Sequence, residues 1–233
     1  MQGDLERAIR ETVGQAVDVI GCGRTDAGVH AAAYVANFAA ESRLPPERLQ
    51  AALNSRLGED VVITSCEVVA EGFNARADAL AKVYRYTTVF GDLRPVLRRG
   101  FVNYASRGLD VEAMREAARA LVGEHDFAGF VNQLEEGKNT VRRLFAVAVE
   151  SEGTTVTLTF TGNGFLYNMV RILAGTLIEV GRGKYPPEWV GEALATRDRT
   201  ATGPTAPAKG LMLMKVIYDE SRLNELLAGT GGA

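Results

Sequence analysis

The chain has 233 residues, 46% of them hydrophobic and 24% charged, with a formal net charge of −3 at pH 7. That composition supplies a packed core for one large domain or two small ones and excludes a largely disordered chain. No stretch reaches the roughly 18 consecutive apolar residues of a membrane-spanning helix. The acidic, amphipathic N-terminus is no secretory signal. Two cysteines and two histidines supply neither a disulfide framework nor a repeated zinc pattern, so the expected setting is the reducing cytoplasm.

Leu5, Ala8, Ile9, Thr12 and Val13 share one helical face, which predicts a helix over residues 2–14. Residues 16–20 read as a strand, GCGRTDAGVH as a glycine-rich loop, and 32–38 as a second strand. Pro45 and Pro46 open a helix that runs to about residue 57, because proline is tolerated in a first turn. Residues 61–69 are rich in β-branched side chains and predict a strand. A second series then begins. Residues 82–90 alternate as a strand, with Tyr84 and Tyr86 on one face and Arg85 on the other. Asp110 caps a helix carrying Met114, Ala117, Ala118 and Leu121. Residues 142–150 and 154–160 form a hairpin around Gly153. A long helix is expected over 163–180, capped by Asn163 and stopped by Gly181. Pro186 and Pro187 open another helix to about Thr196, 211–218 is the last strand, and 228–233 reads as a fraying tail.

The second series reads β-α-β-β-α-(α)-β and the first α-β-β-α-β. Both fit the split β-α-β of ferredoxin-like folds, the first lacking its opening strand. The expected architecture is therefore α+β. Two ferredoxin-like halves, 1–72 and 73–233, form a mixed, mostly antiparallel sheet with helices on one face and a groove on the other.

Charge is unevenly placed. Residues 1–75 carry a net −5, whereas 76–107 carry a net +5 from Arg76, Lys82, Arg85, Arg94, Arg98, Arg99 and Arg107 against two acidic residues. That segment reads as a phosphate-binding stripe or as a solvated charged hairpin. In the glycine-rich loop, Gly21, Gly23 and Gly28 permit close approach of backbone to a ligand, and Asp26 is either a rigidly held reactive carboxylate or a turn cap. The loop lacks GxxxxGK[ST], which argues against a nucleotide-dependent phosphotransferase. Arg171 lies in a helix that is apolar almost all round. An arginine there needs an anion or a route to the surface, and Asp26 is the best candidate partner. Tyr84 and Tyr86 beside basic residues suit base stacking, or simply core packing. His125 and Asp126 have no adjacent nucleophile and read as a turn, and Cys22 reads as a buried filler.

These blocks carry a resemblance. GCGRTDAGVHA (21–31), FNARADALAKVYRY (73–86), GEHDFAGF (123–130), GNGFLYNMVRILAGTL (162–177) and DRTATGPTAPAKGLML (198–213) together resemble the TruA-type tRNA pseudouridine synthases over nearly the whole chain. The resemblance implies the pseudouridine synthase fold with an RNA cleft, and isomerisation of uridines at positions 38–40 in the tRNA anticodon arm. It implies a homodimer and neither a metal nor a redox cofactor. By motif, Asp26 matches the catalytic aspartate, with Arg24 beside it on the substrate. Tyr84 matches the tyrosine against the target base and Arg171 the arginine that pairs with the aspartate. Leu211, or alternatively Leu213, matches the apolar wall of the uracil pocket. The family's opening strand, with its Asp-Gly and Gly-Trp-Gln runs, is not found from Met1 onward. A non-catalytic tRNA-binding or folding protein of the same fold is the alternative expectation.

Overall fold

The computed structural model describes residues 1–134 and 137–230. In chain order the elements are α1 (Gln2–Val13), β1 (Ile20–Gly21), β2 (His30–Ala31), β3 (Ala36–Asn37), α2 (Pro46–Asn54), β4 (Ala81–Phe90), β5 (Asn103–Ala105), α3 (Val111–Arg119), β6 (Gly123–Asp126), β7 (Val141–Glu152), β8 (Thr155–Gly162), α4 (Met169–Gly181), α5 (Trp189–Thr196), β9 (Leu211–Ile217) and α6 (Glu220–Thr230). They form two compact units. The smaller comprises Met1–Arg24 and Tyr34–Asp78, the larger Thr25–Ala33 and Ala79–Ala233.

In the smaller unit, α1 and α2 bury Ala8, Ile9, Leu49 and Leu53 with Val19, and Leu5, Val13, Phe38 and Ile63 pack around them. Pro46 opens α2 as expected. Only Ile20–Gly21 and Ala36–Asn37 pair, antiparallel. The strand expected over 61–69 is absent, and Val62 and Val68 are exposed, the latter at 87%. Its backbone bonds go elsewhere. Ile63 N donates to Asn54 Oδ1 at 2.7 Å, and Ile63 O accepts from Gln50 Nε2 at 2.9 Å and Asn54 Nδ2 at 2.8 Å. Side-chain amides of α2 thus satisfy groups that a β ladder would use.

The larger unit is built on a mixed, mostly antiparallel sheet of order β2-β9-β4-β8-β7-β6, with β5 parallel to the end of β4. The β7–β8 hairpin turns at Gly153, whose φ of +54° suits glycine. Tyr84 lies opposite Phe160, Tyr86 opposite Leu158 and Thr88 opposite Val156. All six are buried, so this row is the core side of the sheet. Ala81 and Val83 point the other way, and α6, which the sequence pattern did not reveal, packs against them through Leu223 and Leu226.

Three further expectations are corrected. The strand expected over 32–38 shrinks to β3, which pairs with β1 in the smaller unit, while β2, just before it and at the end of the expected loop, joins β9 in the larger. His125 and Asp126 lie in β6, paired with Arg142 and Val141 of β7, rather than in a helix-terminal turn. The long helix begins at Met169, six residues late. Asn163 does not cap it. Asn163 N donates to Arg143 O and its Oδ1 accepts from Arg143 N, both at 3.0 Å, so it prolongs the β7 pairing. Asp110 caps α3 as expected, accepting from Ala113 N. Residues 228–230 belong to α6, and 231–233 lie outside the described residues. No helix among the described residues is long and apolar enough to cross a membrane.

Candidate active site

The chain crosses from the smaller to the larger unit between Arg24 and Thr25 and returns after Ala33. The intervening loop carries Asp26. It closes as a turn, with Val29 N donating to Asp26 O at 3.0 Å, and Gly28 takes φ +83°. That conformation favours glycine. The loop is then rooted on β9: His30 and Ala31 pair in parallel with Met212 and Leu213, and Ala32 N donates to Leu213 O at 2.8 Å. On its outer side, His30 Nε2 lies 2.8 Å from Gly100 O, and its ring stacks on Phe101 at 4.6 Å. These contacts anchor the loop on the C-terminal side of Asp26.

Arg171 lies in the first turn of α4, and every α4 residue from Ile172 to Gly181 is buried. Its guanidinium reaches the Asp26 carboxylate, Nη1 to Oδ2, at 2.7 Å. The side chains are 19% and 18% exposed, so the pair is shielded yet open to solvent. The same Nη1 donates to Asn168 Oδ1 at 2.8 Å, and Nε donates to Ala206 O at 2.8 Å. Ala206 N returns a bond to Arg171 O at 3.0 Å. The planar fork is therefore aimed by a backbone carbonyl on one side and an amide on the other. The anion that Arg171 needed is Asp26, and loop and helix lie in the same compact unit.

Asn168 and Ala206 were missed by sequence reasoning. Asn168 stands before α4 at φ +61° and makes no side-chain cap bond, which frees its Oδ1 for Arg171. An asparagine at a helix start is an ordinary cap signal, and nothing in its identity points to a guanidinium. Ala206 acts through its carbonyl, which any residue would present.

Tyr86 is fully buried, and its hydroxyl donates to Pro207 O at 3.0 Å. Burial pushes its phenol well above the ordinary tyrosine range, against the opposing pull of Arg171. Tyr84 is 9% exposed, and its ring meets Phe165 edge-on at 5.1 Å. On β9, Leu213 stands opposite Tyr84 and Leu211 opposite Tyr86, both buried. Arg24 is exposed and is the last residue of the smaller unit before the crossing. Arg94, Arg98, Arg99 and Arg107 of the basic segment are likewise exposed.

The remaining candidates have structural occupations. Asp126 accepts from Ala128 N and Thr140 Oγ1 and pairs with Arg197 at 3.3 Å. His125 Nε2 lies 3.0 Å from Val122 O. Cys22 is buried, and its amide donates to Val35 O.

A partly open carboxylate paired with a guanidinium suits proton transfer or nucleophilic attack. Relatives narrow the choice. The model of a tRNA pseudouridine synthase family matches residues 1–76 and 117–219. The chain is 42% identical over 218 residues to tRNA pseudouridine synthase A 2 of Clostridium perfringens, covering 94% of this chain and 89% of the relative. It is 43% identical to tRNA pseudouridine synthase A of Brevibacillus brevis and 42% identical to that of Acetivibrio thermocellus, each with the same coverage. Among solved structures, a chain of a Cbf5-Nop10-Gar1 complex is similar at 14% identity and TM-score 0.28, over 62% of this chain and 34% of that one, a likeness too loose to bear on the fold. The chain belongs to the tRNA pseudouridine synthase family.

Proposed function

We propose that the Asp26–Arg171 pair is the reacting centre of an isomerase that converts uridine to pseudouridine at positions 38–40 in the anticodon arm of tRNA. The 2.7 Å contact between a partly open carboxylate and a guanidinium drawn from an otherwise buried helix carries this reading. Membership of the family supplies the reaction class.

The reaction breaks the bond from ribose C1′ to uracil N1 and forms one from C1′ to C5. The C5 hydrogen leaves as a proton and N1 gains one, so the product is an isomer of the substrate and no electrons are exchanged. Asp26 acts at the ribose C1′, at the uracil C6, or by removing a ribose proton; each route needs an anion held at one spot. Arg171 supplies its counter-charge and fixes its direction. The base must leave its stack to be reached, and the face of Tyr84 holds it there. The Tyr84 hydroxyl takes the C5 proton as it releases its own to solvent, and N1 is protonated from solvent, so no net charge is left on the enzyme. Leu211 closes the apolar wall of the uracil pocket, with Leu213 one pleat further along β9. Arg24 and the exposed arginines 94, 98, 99 and 107 bind the RNA backbone, which their charge favours. In the same reading the enzyme works in the cytoplasm as a homodimer whose two chains grip one tRNA, and the sequence divides at 72/73 into two ferredoxin-like halves.

The experiment is to incubate unmodified tRNA with the purified chain and map pseudouridine by carbodiimide adducts that stop reverse transcriptase. Stops at uridines 38–40 are expected. Binding of tRNA with no pseudouridine anywhere overturns the reading in favour of a non-catalytic tRNA-binding protein. Stops confined to another arm overturn the site assignment.

A further inference from the structure

We propose that Arg199 is a positioning residue of this reaction. It clamps the segment 202–206, whose Ala206 carbonyl aims the Arg171 guanidinium at Asp26. The inference rests on the reading of Asp26 and Arg171 as the reacting centre.

Arg199 spreads its fork over neutral acceptors. Nε donates to Asn132 Oδ1 at 2.9 Å, Nη1 to Thr202 Oγ1 and Gly203 O at 2.9 Å each, and Nη2 to Thr205 Oγ1 at 3.1 Å. Thr205 Oγ1 also donates to the same Asn132 oxygen at 3.1 Å. One planar group thus fixes three of the four residues from 202 to 205 and ties them to Asn132. Lysine, with a single nitrogen on a flexible stem, cannot span that set.

The clamped segment is pressed onto α4 one turn beyond Arg171. Gly203 N donates to Thr176 Oγ1 at 3.0 Å. A Cβ on Gly203 would come within 2.5 Å of Thr176 Cα, and one on Gly175 within 1.8 Å of Pro204 O. Two glycines let backbone meet backbone there. The next residues reach Ala206, which bonds Arg171 twice, through Nε and through the backbone oxygen. The path from Arg199 to Asp26 is therefore a continuous set of hydrogen bonds and close contacts. None of its members upstream of Arg171 touches substrate in this reading. Residue 199 acts on the direction of the guanidinium rather than on the tRNA, so its loss slows the chemical step and leaves tRNA affinity in place.

The test measures kcat and KM for tRNA, with melting temperature, for Arg199→Ala, Arg199→Lys, Arg171→Lys and the double variant Arg199→Lys/Arg171→Lys. Arg199→Lys keeps the charge and serves if the alanine variant fails to fold. The expected result is at least a tenfold loss of kcat in each folded Arg199 variant, with KM within threefold of the parent. The double variant falls no more than twofold below Arg171→Lys, because both changes disable one device. A lowered melting temperature with kcat unchanged overturns the proposal, as does a rise in KM alone. Fully multiplied losses in the double variant overturn it too. An Asp26→Asn control separates the two failures. If that control stays active, the reacting centre itself is misassigned; if it is dead while the double variant multiplies, only the role of Arg199 falls.

Discussion

Gly175→Ala sets two opposed effects against each other at the place where α4 meets the segment before Ala206. In an open helix the change is favourable by about 1 kcal/mol, because alanine is the better helix former. Here the added Cβ would stand 1.8 Å from Pro204 O and 2.9 Å from Pro204 C. Carbon and oxygen need roughly 3.4 Å, so the segment must retreat by about 1.5 Å, or α4 must bend. Overpacking of that kind costs about 1–3 kcal/mol. The same retreat stretches the two Ala206–Arg171 bonds, now 2.8 and 3.0 Å, beyond hydrogen-bond range. Each contributes about 1 kcal/mol net. The losses total about 3–5 kcal/mol against a gain of about 1, a net cost of about 2–4 kcal/mol. At about 2–4 °C per kcal/mol for a chain of this size, the melting temperature should fall by about 4–16 °C. Turnover should fall with it even at temperatures where the variant is folded, because Arg171 loses its aim. The assay is thermal unfolding by circular dichroism, with pseudouridine formation measured well below the transition. A melting temperature equal to or above the parent's, with turnover intact, would refute the packing argument.

Three shorter predictions rest on other parts of the molecule. Glu179 is buried at the end of α4 between Arg182 at 2.6 Å and Lys184 at 2.9 Å. Burial alone would raise its pKa, but bonds from Lys184 and Arg182 outweigh it and hold the carboxyl below the ordinary range. Its stabilisation is thus complete above the unfolded value of ~4.3 and lost as pH falls through the lower folded value. Glu179→Gln should cost about 1–2 kcal/mol at pH 7, its two partners being half exposed, and the gap to the parent in urea unfolding should shrink below about pH 4. Tyr86→Phe removes the bond to Pro207 O and should cost about 1 kcal/mol in the same assay, with its core packing retained. Arg98→Glu/Arg99→Glu should raise KM for tRNA several-fold, leave kcat within twofold, and flatten the salt dependence of binding by about 0.7–0.9 in log–log slope for each phosphate no longer neutralised. Unchanged affinity and slope would remove the 91–101 loop from the RNA surface.

How far the fold and site were legible follows from where each signal resides. The alternation of 82–90 and the cap at Asp110 are local patterns with local causes; the strand formed over 81–90, and the helix started as expected but ended at Arg119, short of Leu121. Arg171 was legible for a different reason: a permanent cation in an apolar helix needs an anion or a route to the surface, and Asp26 in the glycine-rich loop was the best candidate partner, with which it pairs. Other features depend on partners far along the chain. Residues 61–69 have the composition of a strand, yet Gln50 and Asn54 satisfy Ile63 instead. Nothing local tells β2 to join β9 while β3 joins β1. Asn168 shows the same limit at the site. It occupies the place of a helix cap while its side chain serves Arg171, and only the folded structure separates the two uses. Arg199 carries no local signal of its role either, because its four acceptors are spread from Asn132 to Thr205.

The central claim is that catalysis runs through the carboxylate of Asp26. Its most direct test is a single-turnover measurement with tRNA tritiated at uridine C5, comparing the parent with Asp26→Asn at saturating enzyme, with tRNA affinity measured alongside. The account predicts release of tritium to water by the parent, none by the variant, and dissociation constants within about threefold of each other, since the amide keeps the shape and removes the anion. Release by the asparagine variant at more than about one per cent of the parent rate would contradict it.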